Sequence, residues 1–206
     1  MGFLDFLKGG KKAETQKEEV SKHFQTFLEQ GRIELESKSF EKAVEYFEKA
    51  IAESEKIKSN PAEKALVYKA RALDGLGRFN ESEAIYDKAF ELKPEEPWIW
   101  HMRGLSYMDQ GLNEKAMKYF DKAFELNPMF EEPMMVKASL CGKNGREDVQ
   151  IECYQRILQA NPSNESAKQK IQKMLEDNKM HKNRQWLGGI TKGMKLREGL
   201  SEEAEK

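Results

Sequence analysis

Cysteine is scarce in this 206-residue chain, which carries only Cys141 and Cys153. Two thiols cannot staple a chain of this length in the manner of a secreted disulfide scaffold, and they lack Cys-x-x-Cys spacing, so they read as reduced packing residues rather than a redox or zinc pair. Net charge is lacking too: 35 basic side chains nearly cancel 36 acidic ones, so the whole molecule has no electrostatic footprint for nucleic acid or an anionic membrane. No apolar run approaches the roughly 18 residues of a membrane span. The apolar start is broken by Asp5, unlike a signal peptide, which makes a cytoplasmic location the default expectation.

The chemistry-bearing motifs are missing as well. Neither G-x-G-x-x-G nor G-x-x-x-x-G-K-[ST] occurs, so nothing supports a nucleotide cofactor, and Gly188-Gly189 follows no strand-like run. His23, His101 and His181 are far apart and have no metal-ligand neighbour at helical spacing. Carboxylates such as Glu29, Glu34 and Glu36 are those of a solvated helix face. The reading is therefore a protein without catalytic residues, metal or cofactor, whose work is to hold other molecules.

What the chain does have is internal repetition. Gly77, Gly111 and Gly145 recur every 34 residues, and so do Pro94, Pro128 and Pro162. Leu66, Trp100 and Met134 keep the same interval, as do Ala70, Gly104 and Ala138, and Tyr86, Phe120 and Tyr154. Each column has a physical task. The small residue lets two helices approach closely and the aromatic fills the gap between neighbours. The glycine ends the first helix of a unit, and the proline stops the second.

From Trp100 through Arg103, Gly104 and Tyr107 to Ala116, Phe120, Ala123 and Pro128, the residues resemble a tetratricopeptide repeat, with Arg103 in place of the usual leucine. Phe27, Gly31, Ala43, Phe47 and Ala50 fit the same pattern, offset by 39 residues, so five extra residues fall between Ile51 and Pro61. They suit a lengthened second helix. A fourth repeat departs most, with Gln150 in place of a small residue and Ile157 in place of Ala89 and Ala123, and should pack more loosely.

The resemblance implies an all-α fold, a right-handed superhelical array of antiparallel helix pairs. Four repeats are expected, at about 24–62, 63–96, 97–130 and 131–162, within a body covering 17–162. Residues 1–16 read as a short amphipathic segment and linker. Ser163-Asn164-Glu165 opens a capping helix over 163–180, and 181–206 form a tail, first basic and then acidic.

In this family the first helix of each repeat lines a concave groove. The resemblance thereby implies partner contacts from Leu28 and Arg32 in the first repeat and from Tyr68 and Arg71 in the second. The third would contribute Trp98, His101, Met102 and Leu105, and the fourth Met135, Val136 and Ser139. The centre of that set is apolar and rich in aromatic and thioether groups, suited to a peptide or helix of a partner protein. Relatives that clamp a chaperone's terminal carboxylate use lysine, asparagine and arginine. Here Leu28, Arg32, Tyr68, Trp98 and Met102 stand in those places, and only Arg32 could serve.

The ends support an alternative. Phe3, Leu4, Phe6 and Leu7 fall on one side of a short helix, as a plug for an apolar groove, in this or another copy, or as a surface anchor. Phe6 stands where a myristoyl signal wants Ser or Thr. Residues 178–197 carry Lys179, Lys182, Arg184, Lys192, Lys195 and Arg197 with no acid, interleaved with Trp186, Leu187, Ile190 and Met194. On that reading the chain is a peripheral adaptor on an anionic membrane or RNA. Self-association stays open.

Overall fold

The computed structural model describes residues 3–56 and 62–176, and the side chains of residues 3–13 and 15 lie outside that description. Among the described residues there are nine helices and no strand. They are α1 (Phe3–Glu36), α2 (Phe40–Lys56), α3 (Ala62–Gly75), α4 (Phe79–Leu92), α5 (Pro97–Asp109), α6 (Asn113–Leu126), α7 (Glu132–Lys143), α8 (Glu147–Ala160) and α9 (Glu165–Glu176). Two compact units divide after Leu140.

In the first unit, α1 packs on α2, α3 on α4 and α5 on α6. Successive pairs touch through α2 and α3, through α4 and α5, and along the first helices. The repeating columns are the core. Phe47, Tyr86 and Phe120 are fully buried, and Gly31, Ala70 and Gly104 lie buried beneath the helices they admit. A Cβ on Gly31 would come 2.5 Å from Phe47 Cε1, so the ring of one helix rests on the bare backbone of its partner.

The turn between the helices of a pair is the same each time. Gly77, Gly111 and Gly145 have φ of +72°, +75° and +70°, the left-handed region that glycine enters without penalty. Gly77 N–H donates to Asp74 O at 2.9 Å and Arg78 N–H to Leu73 O at 2.9 Å, the two bonds of a Schellman ending. The first pair makes this turn with Lys38 instead, at φ 60°, its N–H donating to Leu35 O and that of Ser39 to Glu34 O.

α1 departs from what the sequence predicts, and α2 agrees with it. α1 runs without a break through Gly9 and Gly10, where a linker is expected. The stretch from Ala13 to Val20 is built of good helix formers, and two glycines cost only about 2 kcal/mol against alanine, so helix can continue. α2 has 17 residues against 14 in α4, in line with a lengthened second helix; residues 57–61 lie outside the described residues.

The second unit contains the end of α7 with α8 and α9, and α8 packs on α9. Its oddity, Gln150, has a matching one. Gly142 lies where a Cβ would meet the Gln150 amide at 2.7 Å, so the large side chain fills room that a glycine leaves. Cys141 and Cys153 are both buried thiols. α9 is capped by Asn164, whose Oδ1 accepts from Ala167 N–H at 2.8 Å. The expected continuation of this helix to residue 180, and the tail beyond, fall outside the described residues.

Candidate partner-binding face

The side chains expected to meet a partner all belong to the first unit. Three of them meet directly. The Trp98 ring stands edge-on to Tyr68, with centroids 5.3 Å apart, and Tyr68 stacks on the core ring of Phe47 at 5.6 Å. The Arg32 guanidinium lies over the Tyr68 ring, 5.9 Å from its centroid. Tyr68, Trp98 and Met102 are half-buried and rest on two adjoining core clusters. They are anchored below and open above, with each ring held by another ring rather than by a flexible chain.

Trp98 and Trp100 divide the labour of one helix. Two residues apart is about 200° around the axis, so they point to opposite sides. Trp100 is the packing residue: its indole N–H donates to Pro94 O at 2.8 Å, and its ring meets Phe90 at 4.7 Å and Tyr119 at 5.3 Å. Trp98 takes the side shared with Tyr68 and Arg32.

Arg71 crosses from α3 to α5. Its Nη1 donates to Asp109 Oδ2 at 2.6 Å and lies 3.7 Å from Asp74. Asp74 is buried beneath it, and burial pushes its carboxyl up despite the nearby hydroxyls of Ser82 and Ser106 and the Arg71 charge. The Arg71 charge is thus spent within the protein, which leaves the face apolar at its centre.

Two expected contact residues are not at the surface. Leu28 is 8% exposed and joins the core of the first pair, and His101 is 3% exposed. The ring of Phe130, from the loop after α6, covers His101 edge-on at 5.3 Å, and Phe120 backs it at 5.7 Å. Burial, with help from the Arg71 charge, lowers His101 to about 4, so it is neutral at ordinary pH. Leu105, Met135 and Val136 are half-buried and Ser139 is exposed, the last three one first-helix further along on α7. Phe3, Leu4, Phe6 and Leu7 lie on α1 outside the described side chains.

Arg103, the departure from the family pattern, has its reason here. It is almost fully buried; Nη1 donates to Glu83 O at 3.1 Å and Nη2 to Glu83 Oε1 at 2.7 Å. Nη2 also donates to Tyr107 Oη at 3.1 Å, and Tyr107 closes the triangle on Glu83 Oε1 at 3.1 Å. The arginine stands out in the sequence, but its acid is 20 residues away on the preceding helix, where no local pattern marks it. Beside it lies a cavity of about 40 Å³, lined in part by Arg103, Ser106 and Gln110, with room for a water molecule or two rather than an organic ligand. Among the described residues no cluster of three or more His, Cys, Asp or Glu is placed to hold a metal, and no helix is long and apolar enough to cross a membrane.

Tetratricopeptide repeat family models match residues 28–97 and 97–130. An uncharacterised protein of Methanocaldococcus jannaschii is 36% identical over 59 residues, which is 29% of this chain and 69% of that one. Among solved structures, MamA is similar with a TM-score of 0.51 and 16% identity, over 68% of this chain and 78% of its own. A tetratricopeptide repeat protein from Parabacteroides merdae is similar with a TM-score of 0.51 and 18% identity, over 71% of this chain and little more than half, 56%, of its own. At such identities the structural likeness shows the fold alone. Repeat columns, turn geometry and matched family models agree, and the chain belongs to the tetratricopeptide repeat family of protein–protein interaction scaffolds.

Proposed function

We propose that this protein is a non-enzymatic scaffold that docks an apolar peptide or helix of a partner protein against the face built by Arg32, Tyr68, Trp98 and Met102. The observation that carries the reading is the half-buried Tyr68–Trp98 pair, 5.3 Å apart and seated on Phe47. Rigid aromatic side chains already held in place give up little entropy on binding and present large apolar area, the character of interface anchors. Met102 beside them supplies a surface that adapts to the shape of its guest. Arg32, whose own pairing is with Glu29 on the same exposed helix face at 3.2 Å, can turn to a carboxylate or carbonyl of the guest.

Affinity capture with the intact chain, with Trp98→Ala/Met102→Ala, and with a chain lacking residues 1–12 tests it. Partners lost only with the face variant, with its circular dichroism unchanged, agree with docking there. Partners kept by that variant and lost on trimming an end would sink it in favour of attachment through the ends. Flotation with anionic vesicles at low and high salt then tells lipid from protein.

A further inference from the structure

The family's apolar column at the place of Arg103 is absent throughout this chain. The equivalent places in the second and fourth repeats hold Lys69 and Lys137, and in the first Gln30. Each of the three cations meets an acid on the second helix of the preceding pair. Lys69 Nζ is 2.9 Å from Glu48, and Lys137 Nζ donates to both oxygens of Asp121 at 2.8 and 2.7 Å. Arg103 reaches Glu83 at 2.7 Å and Asp87 at 3.9 Å.

Glu48, Asp87 and Asp121 are themselves equivalent, each one residue after the buried aromatic Phe47, Tyr86 or Phe120. Asp121 and Lys137 are 16 residues apart, Asp87 and Arg103 likewise, and Glu48 and Lys69 differ only by the five inserted residues. One contact thus recurs at three successive junctions. In all three the cation is the sheltered partner, with side-chain exposures of 18%, 4% and 12% against 55%, 67% and 29% for the acids.

A leucine at these places would pack with less desolvation cost, since a buried ion pair commonly breaks even at best against an apolar pair. What a sheltered cation adds is intolerance of misplacement. An apolar column can slide by a helical turn and still bury its leucines, whereas a slid lysine or arginine would be left desolvated without its acid. The column also stops. Gln30 takes the cation's place in the first repeat, and Gln155 takes the acid's place in the fourth.

We propose that Lys69, Arg103 and Lys137 are positioning residues that fix the register in which the helix carrying each of them seats on the helix pair before it, a charged column in place of an apolar one. Between the second and third pairs the Arg71–Asp109 bridge, from α3 to α5, ties the first helices directly as well. The spacing between Tyr68 and Trp98 is set at that same junction.

The test exchanges charges at the first junction in the full chain, with thermal unfolding and salt dependence as readouts. Lys69→Glu places two acids face to face and is expected to lower Tm by roughly 2–6 °C at low salt. Adding Glu48→Lys is expected to return it to within about 2 °C of the parent, and both effects should shrink at high salt. If the single variant does not fold, recovery of folding by the second change is the same result. A single variant as stable as the parent, or a double variant that recovers nothing, overturns the proposal. Lys69→Ala/Glu48→Ala gives the coupling by a second route, and additive losses there likewise overturn it.

Discussion

Gly104 lies so close to Phe120 that a Cβ upon it would stand 2.5 Å from Phe120 Cε1. Phe120 is fully buried, and His101 backs its ring, so it cannot swing aside. Gly104→Leu is therefore expected to cost about 1–3 kcal/mol by overpacking the third helix pair. Urea unfolding reads this directly, and an unchanged midpoint would show that the close approach is not needed.

Lys38 holds a left-handed backbone, φ 60°, that the other turns give to glycine. Its side chain is exposed, so replacing it removes backbone strain and little else. Lys38→Gly should stabilise the chain by about 0.5–1 kcal/mol, somewhat reduced by the greater freedom of glycine in the unfolded state. A lower Tm for this variant would contradict the account.

The two tryptophans of α5 should separate stability from binding. Trp100→Ala removes the Phe90 and Tyr119 contacts and the bond to Pro94 O, and should cost about 2–4 kcal/mol. Trp98→Ala should cost less stability and more partner capture. The reverse order in paired denaturation and capture measurements would refute the assignment of the two faces.

His101 gives the fold a pH dependence of known sign. Its folded value of about 4 lies below the ordinary 6.5, so the unfolded chain takes up a proton that the folded one refuses. Stability is unaffected by this group above about pH 6.5 and declines as pH falls from there towards about 4. Asp74, pushed up by burial, takes its proton first in the folded state and offsets part of that loss at the lower end. His101→Gln should flatten the decline; NMR titration of the His101 ring should find no protonation near pH 6.5.

The fold was legible because a 34-residue interval is written in the side chains that pack, Gly104 under Phe120 and Ala70 near Tyr86. The glycine turns were legible for the same reason, and Lys38 could have been found by carrying Gly77 back over the 39-residue offset. The binding face was less so. Spacing tells which way a side chain leaves its helix, but not what a loop lays over it; Phe130, outside any helix, removes His101 from the surface. Arg103 was visible as a departure, while its partner Glu83 belongs to another helix, and no local pattern joins the two.

The exchange of bulk between Gly142 and Gln150 has a consequence for engineering. Either residue transplanted alone into another repeat would leave a hole or a collision, so the two are exchangeable only together. Exchanging only one helix of the fourth repeat for its counterpart elsewhere in the chain should fail, because it splits that pair, whereas moving both helices together should succeed.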